Sequence, residues 1–425
     1  MVIILCYHKI SDAKNDYNLV NVTPYNFEQQ IRYLSSQHKI VSLEDLNTEM
    51  YERNEYIFAI TFDDGYRDVY NNALPILEKF NVPATVFVTT ENLDTCYENW
   101  TDNIMRAIFE PADRKDYFEC SDCELEGKWY TRDLEEKTAF YRKINYLFRH
   151  VGKNKREKYE SILLDWAGLT REGRNENRIL SVHELKELSK SPLISIGSHC
   201  VTHPSLAALT AEEQEQEICN SITRLKEIIG LPIRYMAYPF GSRTSYNAIT
   251  IELLKSCGIE MAFTTIPERV TIETDPYQMP RIVMGNYNIE DFKTRICDII
   301  SRQKKSLQRE KENPDSLYYV GNIERDMRLI DGEKHIVVWG CGFWGKCLYD
   351  DLKLLNLHER IVAYGDNDLS KAGQVIHGVP VLSKSDIMKQ YKKEDLVILV
   401  KNAHDLEICN DLMESGFNEI HLLVR

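Results

Sequence analysis

Residues 57–66 read IFAITFDDGY, so an apolar run ends directly in two carboxylates, Asp63 and Asp64, followed by a glycine. Aspartate is disfavoured within strands and costly to bury without a partner, so packing alone does not explain this ending. A second apolar run is followed by His199 and His203, four residues apart. One carboxylate and two imidazoles make a three-ligand metal site with a position open for water, which is typical of catalytic centres. The other carboxylate is then available as a base.

The bulk composition describes a soluble, globular chain with more than one domain. It has 425 residues, of which 43% are hydrophobic and 28% charged. The net charge of −14 disfavours a nucleic acid or an anionic membrane as partner. Residues 1–8 predict a strand rather than a signal peptide, and no apolar run reaches the roughly 18 residues of a membrane span.

The cysteines favour a reducing compartment. There are 11, an odd number, and they are scattered along the chain. Cys120 and Cys123 form a lone CxxC pair, interpreted as ordinary thiols with a zinc knuckle as the alternative. Together with the absence of a signal peptide, this predicts a cytoplasmic protein.

Alternating apolar runs and amphipathic stretches predict an α/β fold with a parallel sheet or barrel. The expected strands are 57–62, 84–89, 193–196, 235–238 and 261–265. The expected helices are 24–36, 69–80 and 210–229. Thr210 and Glu213 predict a capping box for the last helix, which Gly230 ends. Between about 95 and 190 we expect a helical insertion with helices over 134–150 and 156–166. The insertion is either a lid over the active site or a structural element with no role in the chemistry.

The candidate catalytic residues share one position in this pattern, at or just beyond the end of a predicted strand. These residues are His8, the Asp63-Asp64 pair, His199 and Phe240. In a (β/α) barrel the carboxyl ends of the strands form one face, which carries the active site. Residues distant in sequence would therefore converge there.

Three motifs in order, TFDDG at 61–65, SHCVTH at 198–203 and AYPFG at 237–241, resemble the polysaccharide deacetylases, the NodB-like carbohydrate esterase family 4. The resemblance covers roughly residues 1–300. It implies a distorted (β/α) barrel and metal-dependent removal of an N-acetyl group from a sugar. A mere turn at the two aspartates, with the histidines on an ordinary loop, is the alternative.

The resemblance also implies roles for individual residues. Asp64, His199 and His203 would hold a divalent metal, with Zn²⁺ as the first choice. Asp63 would be the general base for the attacking water. The backbone N–H of Phe240 would help to hold the oxyanion of the tetrahedral intermediate.

Two further assignments depend on a departure from the common family layout. Many members carry the general-acid histidine late, but residues 281–330 contain no histidine. The opening LCYHKI is similar instead to the circularly permuted members, such as poly-N-acetylglucosamine deacetylases, which implies His8 as the acid. A histidine in a local network is the alternative. Arg281 is the candidate for orienting Asp63, with a surface arginine as the alternative.

A second domain is predicted after a linker or connecting helix over 301–333. Over 334–425, a strand leads into Gly340-x-Gly342-x-x-Gly345 and a helix, and Asp366 follows the next strand. This is the dinucleotide fingerprint in its required context. The segment resembles the small, doubly wound Rossmann-like domains of sugar-modifying enzymes, which implies a bound nucleotide or nucleotide sugar. A Rossmann-like domain without a ligand is the alternative.

The sequence therefore predicts a hydrolase of carbon–nitrogen bonds that releases acetate from an N-acetylated sugar in a surface-polysaccharide or glycan precursor. Three alternatives stay open. The first is an O-acetyl esterase with the same metal site. The others are a non-catalytic nucleotide-sugar-binding protein and a nucleotide-sugar oxidoreductase, although no hydride-transfer residues are apparent.

Overall fold

The computed structural model describes residues 1–12, 20–51, 55–110, 115–121, 125–272, 274–312, 319–321, 334–354, 357–400, 408, 411–412, 415–417 and 420–423. The chain divides into two compact units, Met1–Gln303 and Lys304–Arg425. Each unit contains a mainly parallel sheet with helices between its strands.

The first unit is built on a curled parallel sheet. In chain order its strands are β1 (Val2–Tyr7), β2 (Lys9–Ile10), β3 (Asn21–Val22), β4 (Lys39–Ile40), β5 (Ile57–Phe62), β6 (Ala84–Val88), β7 (Tyr117–Cys120), β8 (Gly127–Tyr130), β9 (Ile194–Ser198), β10 (Tyr235–Ala237), β11 (Met261–Phe263) and β12 (Ile282–Val283). The main sheet runs β11-β10-β9-β6-β5-β1-β12, with β4 also paired to β5.

The two ends of this sheet approach each other through the residues that precede β12. Met279 forms a parallel bridge with Phe263 of β11, while β12 pairs with β1. The N–H of Met279 donates to the carbonyl of Ala262 at 2.9 Å, and the N–H of Thr264 donates back to Met279 at 2.9 Å. The sheet therefore curls as a (β/α) barrel requires, and its strand ends face one region.

Helices connect these strands. They are α1 (Pro24–Gln37), α2 (Thr48–Tyr51), α3 (Leu74–Phe80), α4 (Trp100–Phe109), α5 (Leu134–Arg149), α6 (Lys153–Ala167), α7 (Val182–Leu188), α8 (Ala211–Ile229), α9 (Ala248–Ser256) and α10 (Ile289–Glu312). The predicted capping box of α8 is confirmed, since Thr210 and Glu213 bond each other's backbone. None of the helices within the described ranges has the length and apolar character needed to cross a membrane.

The main sheet is covered on both faces, by helices on one face and by a second cluster of mainly strand and loop residues on the other. All six residues of β1 and all six of β5 are buried. This explains why their sequences are nearly continuous apolar runs, as is usual for parallel strands covered on both sides. The polar residues that follow β5 are thus held by a strand that has little freedom to move.

The insertion between β6 and β9 has a hydrophobic core of its own. Trp100, Phe118, Phe140, Phe148 and Leu163 are among its buried members. Besides α4, α5 and α6 it contains the antiparallel hairpin β7–β8, which the purely helical prediction lacked. These strands have four residues each, and alternate burial in so short a run is a weak periodic signal.

The second unit contains β13 (Tyr319–Gly321), β14 (His335–Trp339), β15 (Ile361–Gly365), β16 (Val375–Ile376), β17 (Val379–Leu382), β18 (Leu396–Val400), β19 (Ile420–Leu423), α11 (Phe343–Leu354) and α12 (Lys384–Gln390). Its sheet runs β13-β19-β18-β14-β15-β17-β16. The pairs are parallel except β16–β17, which is antiparallel.

Candidate active site

The two aspartates lie where β5 ends and the chain turns sharply. The N–H of Asp63 donates to the carbonyl of Tyr7 at 2.9 Å, which continues the pairing of β5 with β1. Asp64 then adopts a left-handed conformation with φ of 71°. The hydroxyl of Thr89, at the end of β6, donates to the Asp64 carbonyl at 2.8 Å. This turn directs successive carboxylates to different partners.

Asp64 meets both histidines of the second motif. Its Oδ1 lies 3.4 Å from Nε2 of His199 and 3.2 Å from Nε2 of His203. All three residues are buried, and their ligand atoms lie within 4.8 Å of one another. The curled sheet thus brings together three residues that span 140 positions of the sequence (203 − 64 + 1).

Backbone contacts fix the orientation of His199. Its Nδ1 lies 2.8 Å from the carbonyl of Ala237, at the end of β10. Since a carbonyl only accepts, Nδ1 carries the proton and Nε2 presents its lone pair toward Asp64. Burial lowers the pKa of His203 below its usual value, despite the opposing effect of Asp64. The pKa of His199 shifts the other way: burial opposes its charged form, but Asp63 and Asp64 outweigh burial and raise the pKa. In both rings Nε2 is the nitrogen that faces Asp64.

The chemistry of these donors fits a divalent metal. Within the described part of the chain, the buried Oδ1 of Asp64 and the buried Nδ1 of His203 make no hydrogen bond. A carboxylate oxygen and two imidazole nitrogens are ligands that Zn²⁺ accepts readily. Burial opposes the ionised form of Asp64, but His203 and His199 outweigh it and hold the pKa of that carboxyl well below its usual value. The carboxylate is therefore ready to coordinate.

Asp63 pairs with Arg281 through both of its carboxylate oxygens. Nη1 of Arg281 donates to Oδ1 of Asp63 at 2.7 Å, and Nη2 donates to Oδ2 at 2.7 Å. Arg281 is completely buried rather than a surface residue. Its Nε also donates to the carbonyl of Thr264 at 2.9 Å, and Nη1 to the hydroxyl of Thr61 at 3.1 Å. The guanidinium is therefore fixed by four contacts.

This ion pair determines the charge of Asp63. Burial alone would raise its pKa, but the Arg281 guanidinium, followed by His199, outweighs burial and lowers the pKa to about 2. Burial alone would lower the pKa of Arg281, because it disfavours the charged guanidinium. Asp63 outweighs burial and keeps the pKa of Arg281 above its usual value. Asp63 is thus ionised at neutral pH and held in one orientation.

His8 lies beside both aspartates. It follows β1, is half-buried, and forms a second compact group with Cys6 and Asp63, whose ligand atoms lie within 4.8 Å of one another. The thiol of Cys6 donates to Oδ2 of Asp63 at 3.4 Å. His8 is close enough to lower the pKa of Asp63 and Asp64 as a minor contribution.

The third motif places Phe240 over the histidines. Its ring centroid lies 4.7 Å from that of His203, edge to face, and its φ of 64° is left-handed. Its N–H donates to no other group in the described residues. Gly241 is required beside it, since an added Cβ would lie 2.4 Å from the backbone nitrogen of Thr265. The turn therefore brings Phe240, with a backbone N–H that is not used within the described residues, next to His203.

Sequence reasoning missed the contributions of the insertion. Trp100, at the start of α4, lies 6.3 Å from the ring of His203 and 6.0 Å from that of Phe240. The Arg149 guanidinium, at the end of α5, lies over the Phe240 ring at 4.0 Å. Neither residue belongs to a motif, so only the fold could reveal them.

The glycine-rich turn of the second unit follows β14. Gly340 has a φ of 96°. A Cβ on Gly345 would lie 1.7 Å from the carbonyl oxygen of Gly340, so glycine is required there for the turn to pack against α11. Gly342 differs, because a Cβ there would have no protein atom within 4 Å in the described structure. The turn thus leaves open space at Gly342.

Asp366 lies beside this turn and bonds to it. The N–H of Cys341 donates to Oδ2 of Asp366 at 3.0 Å, and Nζ of Lys371 donates to the same oxygen at 3.2 Å. Burial opposes ionisation, but the Cys341 contacts and Lys371 outweigh it and lower the pKa of Asp366 to about 2. The carboxylate therefore braces the glycine-rich turn.

Comparison with known families agrees with this geometry. The polysaccharide deacetylase model matches residues 51–114 and 148–262, which include the Asp63-Asp64 pair, His199, His203 and Phe240. The stretch left out, 115–147, contains the hairpin and most of α5. The match supports the polysaccharide deacetylase family for the unit Met1–Gln303.

Individual relatives have names of the same class. A poly-β-1,6-N-acetyl-D-glucosamine N-deacetylase of Staphylococcus epidermidis is 23% identical over 298 residues, covering 66% of this chain and 78% of the relative. Among solved structures, the deacetylase PplD of Streptococcus pyogenes is 20% identical, with a TM-score of 0.44 over 69% of this chain and 96% of that one. IcaB of Ammonifex degensii is 17% identical, with a TM-score of 0.44 over 70% and 96%.

Proposed function

We propose that this protein is a metal-dependent hydrolase that removes the N-acetyl group from an N-acetylated sugar in a polysaccharide or glycan precursor. The proposal is supported above all by the different partners of the two adjacent aspartates. Asp64 faces two histidines at 3.2–3.4 Å, and Asp63 is held by Arg281 through two contacts of 2.7 Å. These contacts support a metal-binding role for Asp64 and a proton-transfer role for Asp63.

Asp64, His199 and His203 would hold the metal. A divalent ion bound there supplies a Lewis acid for the acetamide carbonyl and lowers the pKa of water to about 7. Asp63 would accept the proton of the attacking water. The low pKa of Asp63 makes it a weak base, but a water molecule with a lowered pKa does not need a stronger one. Arg281 keeps the acceptor oxygens of Asp63 in place.

The tetrahedral intermediate carries a negative oxygen and must then expel an amine. Phe240, whose ring packs against that of His203, would donate its backbone N–H to that oxygen. His8 would protonate the departing nitrogen, since it is a half-buried imidazole next to Asp63. An amine is a poor leaving group without that proton, so an amidase needs an acid here more than an esterase does.

Acetate release tests the proposal directly. Zinc-loaded protein is incubated with β-1,6-linked N-acetylglucosamine oligomers and, separately, with O-acetylated oligosaccharides lacking N-acetyl groups. We expect acetate from the first set and new primary amines in equal amount. Acetate from the O-acetylated set alone would identify an esterase, and none from either would remove the proposal.

We predict that His8→Ala lowers turnover by about 10²- to 10⁴-fold, the usual contribution of a general acid, while zinc affinity is unchanged. His38, a partly buried histidine on the short connection between α1 and β4, provides the control His38→Ala. The assay is acetate release, with zinc content measured in parallel. Turnover of His8→Ala within threefold of the control would exclude His8 as the acid.

We further propose that the second unit is a Rossmann-like domain that binds a nucleotide or nucleotide sugar at the turn Gly340–Gly345. The open space at Gly342 and the close packing at Gly345 support this, because phosphate needs backbone access at a helix N-terminus. Since Asp366 bonds Cys341 and Lys371, it would reach a ribose only through a remaining acceptor lone pair.

We predict that Gly342→Val abolishes nucleotide binding by the full-length protein without lowering its melting temperature, since a Cβ at this position has no atom of the described residues within 4 Å. Calorimetry with UDP, UDP-N-acetylglucosamine and NAD measures this. A variant lacking the two metal-binding histidines should bind as the wild type does. If the wild-type protein binds none of the three at millimolar concentration, the domain has another role.

A further inference from the structure

Helix α8 buries three polar residues on its inner face. Gln214, Glu217 and Ser221 recur at intervals of three and four, so they lie on one side of the helix, and their exposed fractions are 0%, 8% and 0%. The apolar residues Ile218 and Leu225 share the buried side. Burying a carboxylate is costly, and burial raises the pKa of Glu217 above its usual value. An apolar residue would pack there at lower cost.

The buried polar face meets the segment between the two candidate metal ligands. Cys200 and His203 both have left-handed backbone, with φ of 67° and 57°. For residues other than glycine such conformations cost about 1–3 kcal/mol each and persist only where the surroundings impose them. The segment therefore needs external contacts to hold its shape.

Glu217 provides those contacts. Its Oε2 accepts from the N–H of Val201 at 2.9 Å and from the N–H of Thr202 at 2.8 Å. Its Oε1 accepts from the hydroxyl of Thr202 at 2.5 Å. One carboxylate thus binds three donors from the segment that joins His199 to His203. One turn further along α8, the hydroxyl of Ser221 lies 2.9 Å from that of Ser198, directly before His199.

The insertion holds the same segment from another direction. Nε1 of Trp100, in α4, donates to the carbonyl of Thr202 at 3.1 Å and lies 3.3 Å from that of His203. Arg156, in α6, donates to the hydroxyl of Thr202, which in turn donates to Glu217. Thr202 is thus the point at which α8 and the insertion meet.

We propose that Glu217 is a positioning residue of the metal centre, which sets the separation and direction of His199 and His203 by fixing the backbone between them. The inference depends on the proposed function, since it assumes that these histidines bind a metal. Glu217 contacts neither substrate nor metal. Its effect passes through the Val201 and Thr202 N–H groups, and the insertion is a brace for the metal centre.

The test is the isosteric change Glu217→Gln. It removes the negative charge that strengthens the contacts with the N–H groups of Val201 and Thr202, and it leaves an amide NH2 to which the Thr202 hydroxyl can no longer donate. Partners beyond the direct ligands typically contribute 10- to 100-fold to metal affinity, so we expect zinc affinity to fall by about that factor. Competition with a chromophoric chelator measures the affinity. Cobalt(II) loaded into the same site should give a shifted visible spectrum, which reports ligand geometry independently of overall stability.

Glu213→Gln is the matched control. Glu213 lies one turn earlier on α8, is exposed, and accepts from the N–H and hydroxyl of Thr210. We expect it to leave zinc affinity and the cobalt spectrum unchanged. If Glu217→Gln does not fold, Thr202→Val removes the contacts of the hydroxyl with Glu217 and Arg156, keeps both backbone contacts of Glu217, and should lower zinc affinity by about 2- to 10-fold.

The outcomes separate the inference from the proposed function. A wild-type protein that binds no zinc would overturn both. A wild-type protein that binds zinc, with affinity and cobalt spectrum unaltered in Glu217→Gln, would overturn the positioning role alone. If Glu217→Gln is unfolded, an unaltered Thr202→Val does the same.

Discussion

Asp63→Asn is expected to lower turnover by about 10²- to 10⁴-fold while zinc remains bound, because the variant loses the proton acceptor but none of the three metal ligands. The amide keeps the size of the carboxylate and one acceptor oxygen for Arg281. Acetate release and zinc content, measured on the same preparation, test the two parts of the expectation together.

This variant needs a stability control, because Arg281 is completely buried and would lose its counter-charge. Removing one partner of a buried ion pair typically costs about 3–5 kcal/mol. The double variant Asp63→Asn, Arg281→Met removes both charges and should recover part of that stability without recovering activity. Turnover near the wild-type rate in either folded variant would exclude Asp63 as the base.

The second large effect is expected from the double change His199→Ala, His203→Ala. It removes two of the three proposed ligands, so the protein should retain no zinc after dialysis. Zinc at a thousandfold above its dissociation constant stabilises a protein by about 4 kcal/mol. Zinc should therefore raise the melting temperature of the wild type and leave that of the variant unchanged.

The control for this experiment is His183→Ala, which changes an exposed histidine on α7. It should bind zinc as the wild type does. If the double variant retained a full equivalent of zinc, the metal would lie elsewhere, and the group formed by Cys6, His8 and Asp63 would be the next place to examine.

Much of the fold could be predicted because its signals are local. The apolar run 57–62 corresponds to β5 at both ends, and the capping box at Thr210 marks the start of α8. Strand burial on both faces and helix caps depend on residues a few positions apart. The hairpin β7–β8 was missed because its strands are short and only partly buried.

The geometry of the site depended on contacts that no local pattern reports. Arg281 lies 218 residues from its partner Asp63, and the two meet because β1 pairs with β12 on one side and with β5 on the other. Arg234, directly before β10, is only partly buried and pairs with Glu260 at 2.7 Å. Composition could not distinguish the two.

The left-handed residues show a similar limit. Asp64, His203 and Phe240 all have positive φ, which sequence patterns attribute to glycine or asparagine. Such strain concentrates at functional sites and is maintained by long-range contacts. Glu217 illustrates the reason, since its three hydrogen bonds to the metal-binding segment cross 15–16 positions and its helix carries no motif.

Metal-dependent deacetylation is tested by a zinc titration of chelator-treated protein, with acetate release from a β-1,6-linked N-acetylglucosamine oligomer as the readout. We expect negligible release without metal and a linear rise to a plateau at one zinc per chain. We also expect no release from the His199→Ala, His203→Ala variant at any zinc concentration. Full-rate acetate release by the zinc-free protein, or by that variant, would contradict it.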